Sequence, residues 1–287
     1  MKDFLKNILW PTDFSRESQE ALAYANVFAR TFDARITALH VAPDLSLALY
    51  DEASPALQQE LILRMDVSTR NAQARIQGIG RKRRIPFKKI VVTEGSAAKK
   101  IIQTAEKEKA DLIVMSKRGQ SLVEKIMIGS VANHVLRHSP IPVLVTKKRK
   151  QKFKVKKILV PTDFTKKEEA ERNIAAKLAV GFHASLTLLY VLELFGQEFR
   201  LVDEMFKAVL DKFNKKKERR GVEVTKEVIK AVNAPQGIVD YARRRSQDLI
   251  VMTTCASPIG RLFLGSTTEK VISSTDLPVF VVPPKFC

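Results

Sequence analysis

Asp13 follows Pro11 and Thr12 in ILWPTDFS, residues 8–15, where a short apolar run gives way to a helical pattern. A carboxylate at such a turn has two compatible uses: accepting from an exocyclic amine such as that of adenine, or capping the helix that follows. Pro11 stops the strand by removing a backbone donor and fixing φ, and the turn presents Asp13 at its tip. A second group stands at Gly129 and Ser130, directly before a helix predicted over 131–137. Glycine there lets backbone N–H groups approach a phosphate, the helix N-terminus favours the negative charge, and the serine hydroxyl adds a donor. Gly119 lies ten positions upstream, with Lys117 and Arg118 beside it as nearby cations.

Other chemistries find little support. His40, His134, His138 and His183 have no Cys, Asp or Glu at metal-ligand spacing, and none adjoins a G-x-S-x-G nucleophile motif. No G-x-x-x-x-G-K-[ST] loop occurs, which argues against a strong NTPase. Two cysteines, Cys255 and Cys287, make neither a disulfide framework nor a four-ligand zinc site. The expectation is a protein that is not an enzyme, with no base identified even for slow hydrolysis. The opening residues lack an apolar run of signal-peptide length and no window reaches 18 uninterrupted apolar residues, so a cytoplasmic protein without a membrane span is expected.

The elements that must position these residues are written twice. ILWPTDFS returns as ILVPTDFT at 158–165, and ALHV at 38–41 matches LLYV at 188–191, both 150 positions on. DLIVM recurs at Asp111 and Asp248, 137 apart, so the first copy carries extra residues between Val41 and Val91. IPVLV at 141–145 matches LPVFV at 277–281. At 287 residues, of which 45% are hydrophobic, the chain suits two domains of ordinary size: 1–147, a linker at 148–157, and 158–287. Short β-branched runs alternate with helical patches in each, which implies parallel strands with crossover helices. Strands are predicted at 4–10, 35–41, 88–93, 111–115 and 142–146, with counterparts near 155, 184, 222, 248 and 278. Ser15 and Thr165 are predicted N-caps, Thr165 with Glu168 as a capping box. Aromatic and aliphatic residues spaced 4 and 3 apart over 195–213 predict the buried face of a helix.

The net charge of +19 attracts anions. Residues 147–157 hold eight basic and no acidic side chains, as a solvated tether tolerates, and clusters at 81–84 and 215–220 sit where cations complement helix C-termini.

Five motifs in the same order, twice, resemble a tandem universal stress protein over almost the whole chain: the ILVPTDFS strand, LHV, DLIVM, a glycine loop of form G-x-x-G-x9-G-[ST], and a closing PVLV. The resemblance implies an α/β fold of two Rossmann-like, adenine nucleotide alpha hydrolase-like domains, each a five-stranded parallel sheet of order 3-2-1-4-5 flanked by helices. In many members it implies an ATP site used for signalling rather than turnover. Ligands of such sheets bind where the strand order reverses, here between strands 1 and 4, which end in PTD and the glycine loop. The implied binding residues are Pro11, Thr12, Asp13, Val41 through its backbone, Ser116, Arg118, Gly119, Gly129, Ser130 and Val131. The implied ligand, in the first half only, is ATP or a related adenine nucleotide, with Mg2+ as its further cofactor on the phosphates. Ser116 replaces the family's first glycine and adds a Cβ at the closest approach, so reduced affinity is expected. In the second half Thr253 and Ala256 replace both early glycines, and eight residues rather than nine precede Gly265 and Ser266. That half is expected to bind nucleotide poorly or not at all, with Asp163 kept for folding.

Family members commonly pair their last strands between subunits, so a tandem chain is expected to pair them internally, as its own dimer. A homodimer and an unidentified protein are the further partners. The competing reading is a nucleotide-free interaction module, acting by dimerisation or through basic patches on nucleic acid or another polyanion, where contact would be salt-sensitive and unspecific.

Overall fold

In the computed structural model, residues 4–43, 54–119, 128–147, 153–163, 168–193, 222–256 and 262–283 are described. The first half runs β1 (Asn7–Pro11), α1 (Arg16–Phe32), β2 (Arg35–Ala42), α2 (Pro55–Arg83), β3 (Phe87–Glu94), α3 (Ala97–Lys107), β4 (Leu112–Ser116), α4 (Ser130–His138) and β5 (Val143–Thr146). The second runs β6 (Lys157–Thr162), α5 (Glu168–Phe182), β7 (Ser185–Glu193), β8 (Val224–Ala231), α6 (Ala234–Arg244), β9 (Leu249–Thr253), α7 (Ser266–Ser274) and β12 (Val279–Val282). A short hairpin of β10 (Cys255–Ala256) and β11 (Leu262–Phe263) sits between β9 and α7.

Local sequence accounts for these boundaries. Ser15 caps α1, its Oγ accepting from Ser18 N, and Asp33 closes that helix in the left-handed region with φ 56°. The stretch between Val41 and Val91 that carries the first half's extra residues includes α2, which Ser54 caps by accepting from Leu57 N and which carries Arg81, Lys82 and Arg83 in its last turn. β1 is shorter than predicted at its start and includes Pro11, whose register partner is Leu39. The predicted aromatic helix at 195–213, the Thr165 cap and the basic cluster at 215–220 lie outside the described residues.

All the long strands join one ten-stranded sheet of order β3-β2-β1-β4-β5-β12-β9-β6-β7-β8. Each half therefore has the 3-2-1-4-5 order. Pairing is parallel within each half and antiparallel at one place, where Val143, Leu144 and Val145 of β5 oppose Val281, Phe280 and Val279 of β12. The inner strands read Leu112–Met115 and Leu249–Met252 as continuous apolar runs because helices cover both their faces.

Both faces of the sheet carry a core that crosses the seam. One gathers Trp10, Phe28, Phe32, Leu178 and Phe280; the other gathers Leu9, Ile113, Val135, Ile250 and Val271. Phe28 and Phe32 on α1 meet Phe182 on α5 edge-on, at centroid distances of 4.9 and 5.4 Å. The predicted tether is anchored rather than wholly solvated: Phe153 and Val155 are buried, and Tyr24 lies against Phe153 at 4.4 Å. Among the described residues, no helix is long and apolar enough to cross a membrane.

Candidate functional site

The β1–α1 turn is fixed from three sides. Trp10 Nε1 donates to Ser18 O at 2.8 Å, the Thr12 and Ser18 hydroxyls share a hydrogen bond at 3.0 Å, and His40 Nδ1 meets Thr12 O at 2.8 Å. His40 thus serves the turn. Phe14 takes φ 64°, an uncommon conformation for a bulky residue, and is flanked by the His40 ring at 4.4 Å and the Arg75 guanidinium at 4.2 Å. Asp13 is divided between two tasks. Its Oδ1 accepts from Ser15 N at 3.0 Å and Ser15 Oγ at 2.6 Å, which orients the cap, while Oδ2 faces Gly119.

The opposite wall is the turn after β4. A Cβ on Gly119 would lie 2.5 Å from Asp13 Oδ2, closer than such atoms ever come, so glycine is what lets the carboxylate and the β4 turn meet. Gly129 is different. Its N–H donates to Lys117 O at 3.0 Å, yet a Cβ there would meet only ordinary van der Waals contacts, none nearer than 3.5 Å. No packing among the described residues requires glycine at 129. Gly129 is also the N-cap of α4 and offers no side-chain cap, and no acidic residue stands in the first turn. The α4 amides therefore keep their attraction for an anion. Ser116 is 8% exposed, and its Oγ donates to Arg118 O at 2.5 Å, folding back onto its own turn.

Lys117 departs from expectation. Its ammonium does not serve the crevice: Nζ donates to Ser273 O, near the C-terminal end of α7 in the other half, at 2.5 Å. The side chain is 4% exposed, and burial, with the Lys147 and Arg118 charges, pushes its pKa down to about 8 despite the opposing pull of Asp276. The negative end of the α7 dipole gains this cation. Two further ion pairs join the halves alongside it, Arg137 with Glu269 at 2.8 Å and Lys147 with Asp276.

Between these walls lies a cavity of about 230 Å³. Pro11, Thr12, Asp13, Val41, Ser116, Arg118, Gly119, Gly129, Ser130 and Val131 all line it. Sequence reasoning missed its apolar floor, Leu39, Ile101 and Met115, and the small residues Ser18, Ala97 and Ala132. A signal for Ala97 existed in Gly95, whose φ of 118° turns the chain from β3 into α3.

The equivalent place in the second half is built otherwise. Ala256, where the family pattern has a glycine, is paired with Leu262 in the β10–β11 hairpin. Thr253 Oγ1 stands 3.3 Å from Glu171 Oε2, a buried carboxylate at the position that Ala21 occupies in the first repeat.

The universal stress protein family model matches the chain twice, over residues 5–147 and 154–283. A universal stress protein of Methanocaldococcus jannaschii is 36% identical over 152 residues, covering 52% of this chain and 86% of the relative. A second from the same organism is 28% identical over 163 residues, covering 52% of this chain and 99% of its own. The crystal structure of a universal stress protein from Archaeoglobus fulgidus superposes with a TM-score of 0.66 at 23% identity, covering 99% of this chain and 98% of that one, which shows the shared fold. With a family match over each half and the same strand order in both, the chain belongs to the universal stress protein family as a tandem of two such domains.

Proposed function

We propose that the first half binds an adenine nucleotide, ATP or a close relative, as a signal without turning it over, and that the second half does not. The observation that carries this reading is the pairing of Asp13 and the open α4 N-terminus on opposite walls of one cavity at the point where strand order reverses. The floor of Leu39, Ile101 and Met115 suits the apolar faces of a purine, and Asp13 Oδ2 suits an exocyclic amine. The α4 amides, Ser130 and the Gly129 backbone suit phosphate oxygens. The residues present thus fit the nucleotide. Among the described residues no three metal-ligating side chains cluster, so Mg2+ would be held mainly by phosphate oxygens and water, which is its usual preference. In the second half, the β10–β11 pairing and the Glu171 carboxylate both disfavour a polyphosphate.

Calorimetric titration with ATP at near-physiological salt tests the reading. One saturable site per chain is expected, with affinity lowered by about tenfold or more in Gly119→Ala, where the new Cβ must push the Asp13 carboxylate out of the crevice. Absence of saturation up to millimolar nucleotide overturns it.

A further inference from the structure

A second, unrelated cavity lies on the seam of the two halves. It is an open cleft of about 610 Å³, within the range of small-molecule sites. Its floor is apolar: Val27 from α1 of the first half, Phe153 from the connecting segment and Phe182 from the end of α5. The rings are held by their neighbours, Phe153 by Tyr24 at 4.4 Å and Phe182 by Phe28 at 4.9 Å. The rim carries Lys154, Lys156 and His183 against a single carboxylate, Glu223. Both lysines are exposed, and their backbone is pinned. Lys156 N donates to Asp248 Oδ2 at 2.9 Å, Ser185 N donates to Lys156 O at 2.9 Å, and Val155 between them is buried.

We propose that this cleft binds a small aromatic anion, an aryl carboxylate or sulfonate of up to three rings. The half-buried Val27 and Phe182 side chains, backed by the buried Phe153, take the ring body, and the two lysines take the acid group without either having to be desolvated. Because its floor draws on both halves, such a ligand would hold the seam closed. The assignment is independent of the nucleotide reading. The cleft lies at the amino ends of β6, β7 and β8, whereas the first cavity lies at the carboxyl ends of β1 and β4.

Fluorescence titration of the full chain with 8-anilinonaphthalene-1-sulfonate is the test, using three variants. Saturable enhancement is expected. It should weaken by about tenfold in the charge reversal Lys154→Glu/Lys156→Glu at unchanged Tm, and persist both in Arg81→Glu/Lys82→Glu, at the far end of α2, and in Gly119→Ala. Lack of saturation, equal affinity in the Lys154/Lys156 variant, or equal weakening by the Arg81/Lys82 reversal overturns the proposal. Loss of binding in Gly119→Ala also overturns it, since the dye would then occupy the first cavity.

Discussion

Ser116 stands where the family pattern has a glycine, and its hydroxyl donates to the Arg118 carbonyl at 2.5 Å, which braces the turn. Restoring glycine there removes a Cβ but also that brace. The expected result is an ATP affinity within about threefold of the parent, measured by calorimetry; a large gain would mean that the serine obstructs the crevice. Lys117 makes a different prediction. Its folded pKa of about 8 lies below the usual lysine value of 10.5, so between these values the unfolded chain binds more protons and stability rises with pH. At pH 7 both states are charged, so the burial penalty is constant there and is relieved only as the pH rises through the folded pKa. Chemical denaturation should therefore show the parent gaining stability relative to Lys117→Met as pH climbs from about 8 towards 10.5. Equal pH profiles for the two proteins would contradict the burial of that charge.

At the scale of elements, α1 and α5 meet through aromatic rings and one missing side chain. A Cβ on Gly181 would lie 2.2 Å from Phe32 Cε1, and the ring is boxed in by Phe4, Phe28 and Phe182. Gly181 is one residue from the end of α5, so alanine's propensity gain over glycine there is below the interior value of about 1 kcal/mol. Overpacking a fixed ring costs about 1–3 kcal/mol, so the steric term wins. Gly181→Ala is expected to lower unfolding stability by about 1 kcal/mol in urea, and a stabilised variant would show that Phe32 is free to move. The turns at the two ends of the first cavity illustrate how much of an element is local. The Ser15 cap and the glycine at the start of α4 are signalled by residue type, because capping and close approach depend on neighbours in sequence. That Lys117 would turn away to Ser273 was not signalled, since its partner is contributed by the other half.

Across the whole molecule, the β5–β12 ladder converts two apolar sheet edges into interior strands, and both cores run through it. The halves should consequently unfold together. Calorimetry is expected to show one transition for the parent and two for Phe280→Asp, which places an unpaired charge at the buried seam; two transitions in the parent would show that the halves are energetically independent. The sequence by itself determined the repeat, the α/β class and the strand identities, because hydrophobic period and turn chemistry are written in adjacent residues. It also named Asp13, Gly119, Gly129 and others of the residues that line the first cavity, through the motif pattern and through the rule that parallel sheets bind ligands where their order reverses. Only the tertiary structure decided the apolar floor of that cavity, the antiparallel register of Leu144 against Phe280, the burial of Lys117 and the cleft beside Phe153. Each of these arises from side chains far apart in the chain, and their meeting is set by how two sheets and their helices dock rather than by any local preference.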